Sequence, residues 1–212
     1  MQEAKFFNIS GIIDKLNTLV ERRAKSDAFS RKDVVSILLT SSTNSTLRCQ
    51  GLNLTGVDLS RLDLSHINFK MTNFREANLS RCNLDNALLH EADLCGADLS
   101  FANLRGAKLN GANLENANLK GANFEDRGGL RAVLEGANFK GAVLEEVNFS
   151  GANLRVANFK GANMENCNLR GADLAGTNLE DANLRGANLH KSNLTGANLR
   201  GANFDIRTVS SR

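Results

Sequence analysis

From Leu54 to Phe204 a Leu, Phe or Met recurs at every fifth residue, at 31 consecutive positions with Gly129 the one exception. That period fits neither regular structure. On an α-helix five residues turn the side chain by about 140°, so the apolar positions would circle the axis without forming a stripe. In a straight strand five is odd, and successive apolar residues would fall on opposite faces. A disordered Asn-rich tract is excluded too, because the apolar register never slips.

The residues around each apolar centre show how the conflict is resolved. Two residues earlier the side chain is small, Ala at 20 of 31 sites, and between them stands Asn or Asp at 26 of 31. The triplet Ala-Asn-Leu alternates like a short extended step, with Ala and Leu inward and Asn outward. Every centre can then point inward only if the chain turns a corner within each repeat. Gly at the second position after the centre, as in Gly136, Gly141 and Gly151, supplies the positive φ of a type II turn. An all-β solenoid follows, flat-sided, filled by leucine and stacked by backbone hydrogen bonds.

Blocks such as Gly-Ala-Asn-Leu-Arg at 151–155 and 196–200 resemble those of pentapeptide-repeat proteins, over roughly residues 47–206. The resemblance implies a right-handed quadrilateral β-helix with four repeats, twenty residues, per coil. Extending the register back to Leu47, Arg48 and Cys49 gives 32 repeats and an expectation of about eight coils. The first four small-residue sites are large (Leu52, Val57, Leu62, Ile67), which marks one coil as wider or differently capped.

Residues 1–46 lack the repeat. Ser10 is placed to cap a helix bearing Ile12, Ile13, Leu16, Leu19 and Val20 on one face. Ser30 with Asp33 resembles a capping box ahead of Val34, Val35, Ile37, Leu38 and Leu39. Two or three short helices ending near Thr40, then a polar linker Ser41–Thr46, are expected to cap the open solenoid end. Residues 207–212 form a short tail. Glu3–Ile9 resembles the last helix of a BTB/POZ domain of the potassium-channel-tetramerisation type. Leu47–Asn53, Ile67–Met71 and the irregular stretch Phe124–Leu130 resemble the pentapeptide region of such proteins. The resemblance implies adaptors of cullin-RING ubiquitin ligases, with formin-homology-interacting relatives in plants. The BTB domain itself is missing from these residues, so cullin binding is expected only through that upstream domain.

Catalysis needs groups that converge. His66, His90 and His190 are read as scattered surface residues, with His90 and His190 on one side, five coils apart. Cys82 and Cys167 occupy interior sites, Cys95 points outward, and no spacing suits a metal. No phosphate-binding loop is present, so neither enzyme activity nor a cofactor is expected. Without a signal peptide or an apolar run of membrane length, a cytoplasmic or nuclear location is expected. The net charge of +3 lies in residues 1–50, with eight Lys/Arg against five Asp/Glu, while residues 51–212 carry eighteen of each. Some bacterial pentapeptide-repeat proteins are regarded as DNA mimics that bind type II topoisomerases. A neutral coil makes a poor mimic of a polyanion, and direct nucleic-acid binding is disfavoured likewise. The expected function is a protein-binding scaffold, the partner being a ubiquitin-ligase substrate or a formin.

Twenty-residue spacing would stack Lys120, Lys140 and Lys160 in one column and Glu125, Glu145 and Glu165 in the next. A third column, Leu88, Lys108 and Gly128, breaks the Asn rule, with Leu130 beside it, Val133 and Val143 close by, and Phe101 an outward aromatic. The middle of the rod, residues 101–165, is therefore the expected partner site.

Overall fold

The computed structural model of the chain describes residues 29–40, 47–126 and 128–204. One repeat shows why the chain coils. The inward side chains of Leu54 and Leu59 are fully buried. Leu54 N–H donates to the Asn73 carbonyl of the next coil (2.7 Å), Asn73 N–H donates back to Leu52 (2.9 Å), and Gly56 N–H donates to Arg75 (2.8 Å). Val57 N–H returns to the Leu54 carbonyl (3.3 Å), closing a turn in which Gly56 has φ 64°. Four of five backbone donors are thus satisfied. The fifth, Thr55 N–H, is taken by the side-chain Oδ1 of Asn53 (3.2 Å). This is the physical reason for Asn or Asp at the outward position, since a short side-chain acceptor two residues before the corner completes the hydrogen bonding of the turn.

Repetition of that unit gives a quadrilateral parallel β-helix. Its four faces are ladders of one outward residue per coil. Face A runs from Arg48 to Asn193, face B from Asn53 to Asn198, face C from Asp58 to Asn203 and face D from Asp63 to Asn188. Three of these ladders have eight rungs and face D has seven. Many Asn side chains also donate Nδ2 to the Oδ1 one coil back, as Asn158 does to Asn138 (3.0 Å). Asp appears only as an acceptor in such ladders, for instance Asp93 under Asn113 (3.0 Å).

One coil is longer than the rest. Lys108 bridges Val133, Asn113 bridges Asn138, Asn118 bridges Val143 and Asn123 bridges Asn148, an offset of 25 residues where every other rung has 20. The chain leaves the coil at the edge between faces D and A after Asp126, whose N–H still donates to the Ser150 carbonyl (2.9 Å), and rejoins it at Ala132. Phe124 and Phe149 stack beneath the break (centroids 4.9 Å apart, planes at 19°), so the core remains continuous. Gly129 is a loop residue and no longer a failed centre. The expected columns are corrected accordingly. Lys120 shares an edge with Glu145 and Glu165, Lys140 and Lys160 lie on the preceding edge, and Glu125 stands at the D–A edge. Val133, in place of Gly128, continues the column of Leu88 and Lys108. His90 and His190 fall on different edges for the same reason.

Ahead of the coils, helix α1 (Arg31–Thr40) begins at a capping pair. Ser30 N–H and Oγ donate to Asp33 Oδ2 (2.9 and 2.7 Å), and Asp33 N–H donates to Ser30 Oγ (3.3 Å). Phe29 N–H donates to the Asn53 carbonyl (3.0 Å), and Phe29, Val34 and Ile37 are buried in the same core as the coils. Arg31 donates to the carbonyls of Asp58 and Ser60. The expected helix from Ser10, the Glu3–Ile9 segment, the Ser41–Thr46 linker and the 207–212 tail lie outside the described residues.

Candidate interaction surface

The charged side chains divide by edge. On the B–C edge Lys140 pairs with Glu115 (3.0 Å), and Glu180 lies between Lys160 (3.4 Å) and Arg200. On the C–D edge Lys120 pairs with Glu145 (2.8 Å), an interaction that raises the lysine pKa above its ordinary value. Lys120, Lys140, Lys160 and Glu145 therefore neutralise charge within the rod, coil against coil. Glu165 accepts from Asn183 Nδ2 (3.4 Å), and Glu125 N–H caps on Asn123.

Face A is different in its middle. Leu88, Lys108 and Val133 occupy three successive rungs where the other ladders carry Asn or Asp almost throughout. None of the three can accept the corner N–H two residues on. Accordingly the N–H groups of His90, Asn110 and Glu135 make no hydrogen bond within the described residues, and neither does that of Glu145, which follows Val143 on face C. Three open donors thus follow one another along the A–B edge, one per coil and about 4.8 Å apart. His90 Nδ1 is also buried without a partner. Burial, reinforced by Lys70 and Lys108, holds the His90 imidazole below its usual pKa and favours the neutral ring.

The five-residue loop lies beside this strip. Lys108 Nζ donates to the Arg131 carbonyl (2.9 Å), Arg131 Nε donates to the Gly151 carbonyl, and Gly129 N–H donates to Asp126 Oδ1 (2.9 Å). Held at three points, the loop carries Leu130, which is 54% exposed and lies three residues ahead of Val133 in the chain. Phe101, 52% exposed, is remote from it, on the C–D edge. Val133 thus shares a ladder with Leu88 and Lys108, and Lys108 holds the loop that carries Leu130, whereas the charged residues anticipated from the sequence lie on other edges. The open N–H row escaped the sequence reading, although its signal is a missing Asn or Asp two residues before a corner.

Other chemistry finds little to work with. Cys49, Cys82 and Cys167 are buried, which pushes their thiols up to about 12, 11 and 12. Among the described residues no group of His, Cys, Asp and Glu could hold a metal, and no helix is long and apolar enough to cross a membrane.

The family model for pentapeptide repeats matches residues 53–126 and 132–205 in overlapping segments, skipping the loop. The human BTB/POZ domain-containing protein KCTD9 is 50% identical over 58 residues, a stretch that covers 26% of this chain and 15% of that protein. Full-length QnrB1, a plasmid-mediated fluoroquinolone resistance protein, superposes with a TM-score of 0.58 at 21% identity, covering 78% of this chain and 89% of the other. A pentapeptide repeat protein from the Arabidopsis thaliana thylakoid lumen is 36% identical, covering 56% of this chain and 79% of the other, with a TM-score of 0.47.

Proposed function

Because this chain belongs to the pentapeptide-repeat family, we propose that it is a non-enzymatic protein-binding scaffold whose docking strip is the middle of face A. The observation that carries the reading is the run Leu88, Lys108, Val133, three rungs that forgo the side-chain acceptor and leave three backbone donors open. Open donors flanked by apolar groups suit a protein partner that brings carbonyl or carboxylate oxygens and covers Leu88, Val133 and Leu130. Helix α1 acts as the cap of the N-terminal end, about eight coils form the rod, and the protein works in the cytoplasm or nucleus.

The short match to KCTD9 supports a finer reading, in which the rod is the recognition arm of a BTB-type ubiquitin-ligase adaptor. In that reading cullin contacts belong to a BTB domain, and residues 1–212 alone do not capture a cullin. The test is affinity capture with the chain as bait, beside a variant carrying Leu88→Asn, Lys108→Asn and Val133→Asn. Loss of a captured protein in the variant supports the strip, and its mass-spectrometric identity separates a ubiquitin-ligase substrate from a formin. Undiminished capture contradicts the strip.

The fold shared with QnrB1 keeps one alternative in view, inhibition of a type II topoisomerase. Against it stand the balanced charges of the coil and their pairing along the edges, which provide no continuous anionic row. A DNA-gyrase supercoiling assay separates the two, and inhibition by the chain would favour the alternative.

A further inference from the structure

Over six successive coils the C–D edge, diagonally across the rod from the docking strip, sorts its unpaired charges by sign, and Arg185 occupies the coil beyond them. Backbone bonds fix the order of its corner residues, one per coil, as Arg61, Arg81, Phe101, Gly121, Glu146 and Asn166. The residue just before each of the last three is Lys120, Glu145 and Glu165. On the B–C edge the charges pair instead, Lys140 with Glu115 and Glu180 with Lys160 and Arg200. Here Arg61 and Arg81 lie on one side of Phe101 while Glu146 and Glu165 lie on the other. None of these four forms an ion pair among the described residues. At the changeover Phe101, 52% exposed and in the left-handed region (φ 58°), lays its ring over Gly121, where a Cβ would come within 2.7 Å of it. The Arg81 guanidinium sits 5.3 Å from the centroid of that ring.

We propose that this edge is a self-complementary docking surface for a second copy of the chain, laid antiparallel. A twofold axis between the Phe101 and Gly121 coils sets Arg81 opposite Glu146 of the second copy, each one and a half coils from the axis. It likewise sets Arg61 opposite the Glu165 coil, each two and a half coils away. The two Phe101 rings, already leaning toward the Gly121 coil, meet at the axis and supply the apolar centre. Each ionic contact occurs twice by symmetry. Another copy of this chain is a partner certain to carry the complementary order, and charge order fixes register as well as attraction. The pair leaves both face A strips outward, so a scaffold of this kind engages its partner with two sites.

Sedimentation equilibrium on the full chain tests the proposal, with circular dichroism as the fold control. At about 0.05 M salt a concentration-dependent dimer is expected, weakening about tenfold or more at about 0.5 M, where the screening length falls to about 4 Å. Arg81→Glu and Glu146→Arg should each weaken the dimer by about tenfold or more, and the two together should restore it. Both residue types already occupy this corner conformation, at Glu76 and at Arg61, so the fold should tolerate the changes. Phe101→Ser should remove the dimer. A monomer at every concentration and salt overturns the proposal. So does a dimer indifferent to both reversals, which would locate association elsewhere on the rod. Because these residues are remote from face A, loss of partner capture in the face A variant with the dimer intact would distinguish the two surfaces.

Discussion

On face B the outward rungs from Asn53 to Asn198 are all Asn or Asp, whereas face A carries Leu88, Lys108 and Val133 in the middle of its run. Both faces enclose the same buried core and bridge their coils with the same backbone bonds. The outward side chain is therefore not needed to make the coil. It completes the corner, by accepting the fifth N–H, and it links neighbouring coils through Asn–Asn bonds. Face B completes every corner and links its coils side chain to side chain from Asp93 to Asn198, and face A gives up both functions over three coils where the chain also inserts a loop. A coil that can form without its capping side chain can leave donors available for something else.

The largest expected effect erases the distinction. Leu154→Asp behind face A and Phe159→Asp behind face B should both unfold or aggregate the rod. Burying an unpaired carboxylate costs several kcal/mol, beyond about 1.5–3 kcal/mol of lost burial. Leu194→Asp should be milder, since Leu194 is only partly buried near the last coil. Urea unfolding checks all three, and equal tolerance at Leu154 and at exposed Arg155 would contradict the inward assignment.

Next comes a substitution that should separate the faces. Asn138→Val removes the acceptor for Lys140 N–H (3.2 Å) and two ladder bonds, to Asn113 (3.1 Å) and from Asn158 (3.0 Å). A loss of about 1–2 kcal/mol is expected, because each partly exposed hydrogen bond contributes about 0.5–1.5 kcal/mol net. Val133→Asn on face A should instead leave the melting temperature unchanged or raise it. Equal destabilisation by the two changes would break the comparison.

Alkaline pH should act on both faces alike. Thiols raised from an ordinary 9.0 to about 11–12 stay protonated in the fold but ionise once unfolded. Their contribution to stability is full below pH 9 and lost as pH climbs through the folded values. Cys82→Ala with Cys167→Ala should flatten that decline, alanine being the usual occupant of those sites. The smallest effect belongs to the edges. Lys140→Ala, despite its 3.0 Å pair with Glu115, should change stability by under about 1 kcal/mol, because both partners are solvated.

The five-residue period made the solenoid, the inward leucines and the corner turns legible before any coordinates, because only one geometry reconciles that period with a buried row. The phase of the edges was not legible beyond Phe124. An insertion equal in length to one repeat preserves the apolar register in sequence while displacing every later residue by one face. Its only trace is a repeat in which Arg127, Gly128 and Gly129 replace the small, Asn and apolar residues together. The Lys and Glu columns that follow from a strict twenty-residue spacing therefore differ from those of the fold, whereas Leu88 and Lys108, both ahead of the insertion, keep their shared column. What those departures do depends on counting the backbone donors of a turn, which the residue pattern alone does not display.

The most direct measurement is NMR-detected amide hydrogen exchange at His90, Asn110 and Glu135, read against Glu115, Lys120 and Lys140, whose N–H groups are held by Asn113, Asn118 and Asn138. In the isolated chain the first three should exchange fast and the second three slowly, and a bound partner should protect the first three. Protection of His90, Asn110 and Glu135 in the isolated chain, or unchanged fast exchange in the complex, would contradict a docking strip built from open backbone donors.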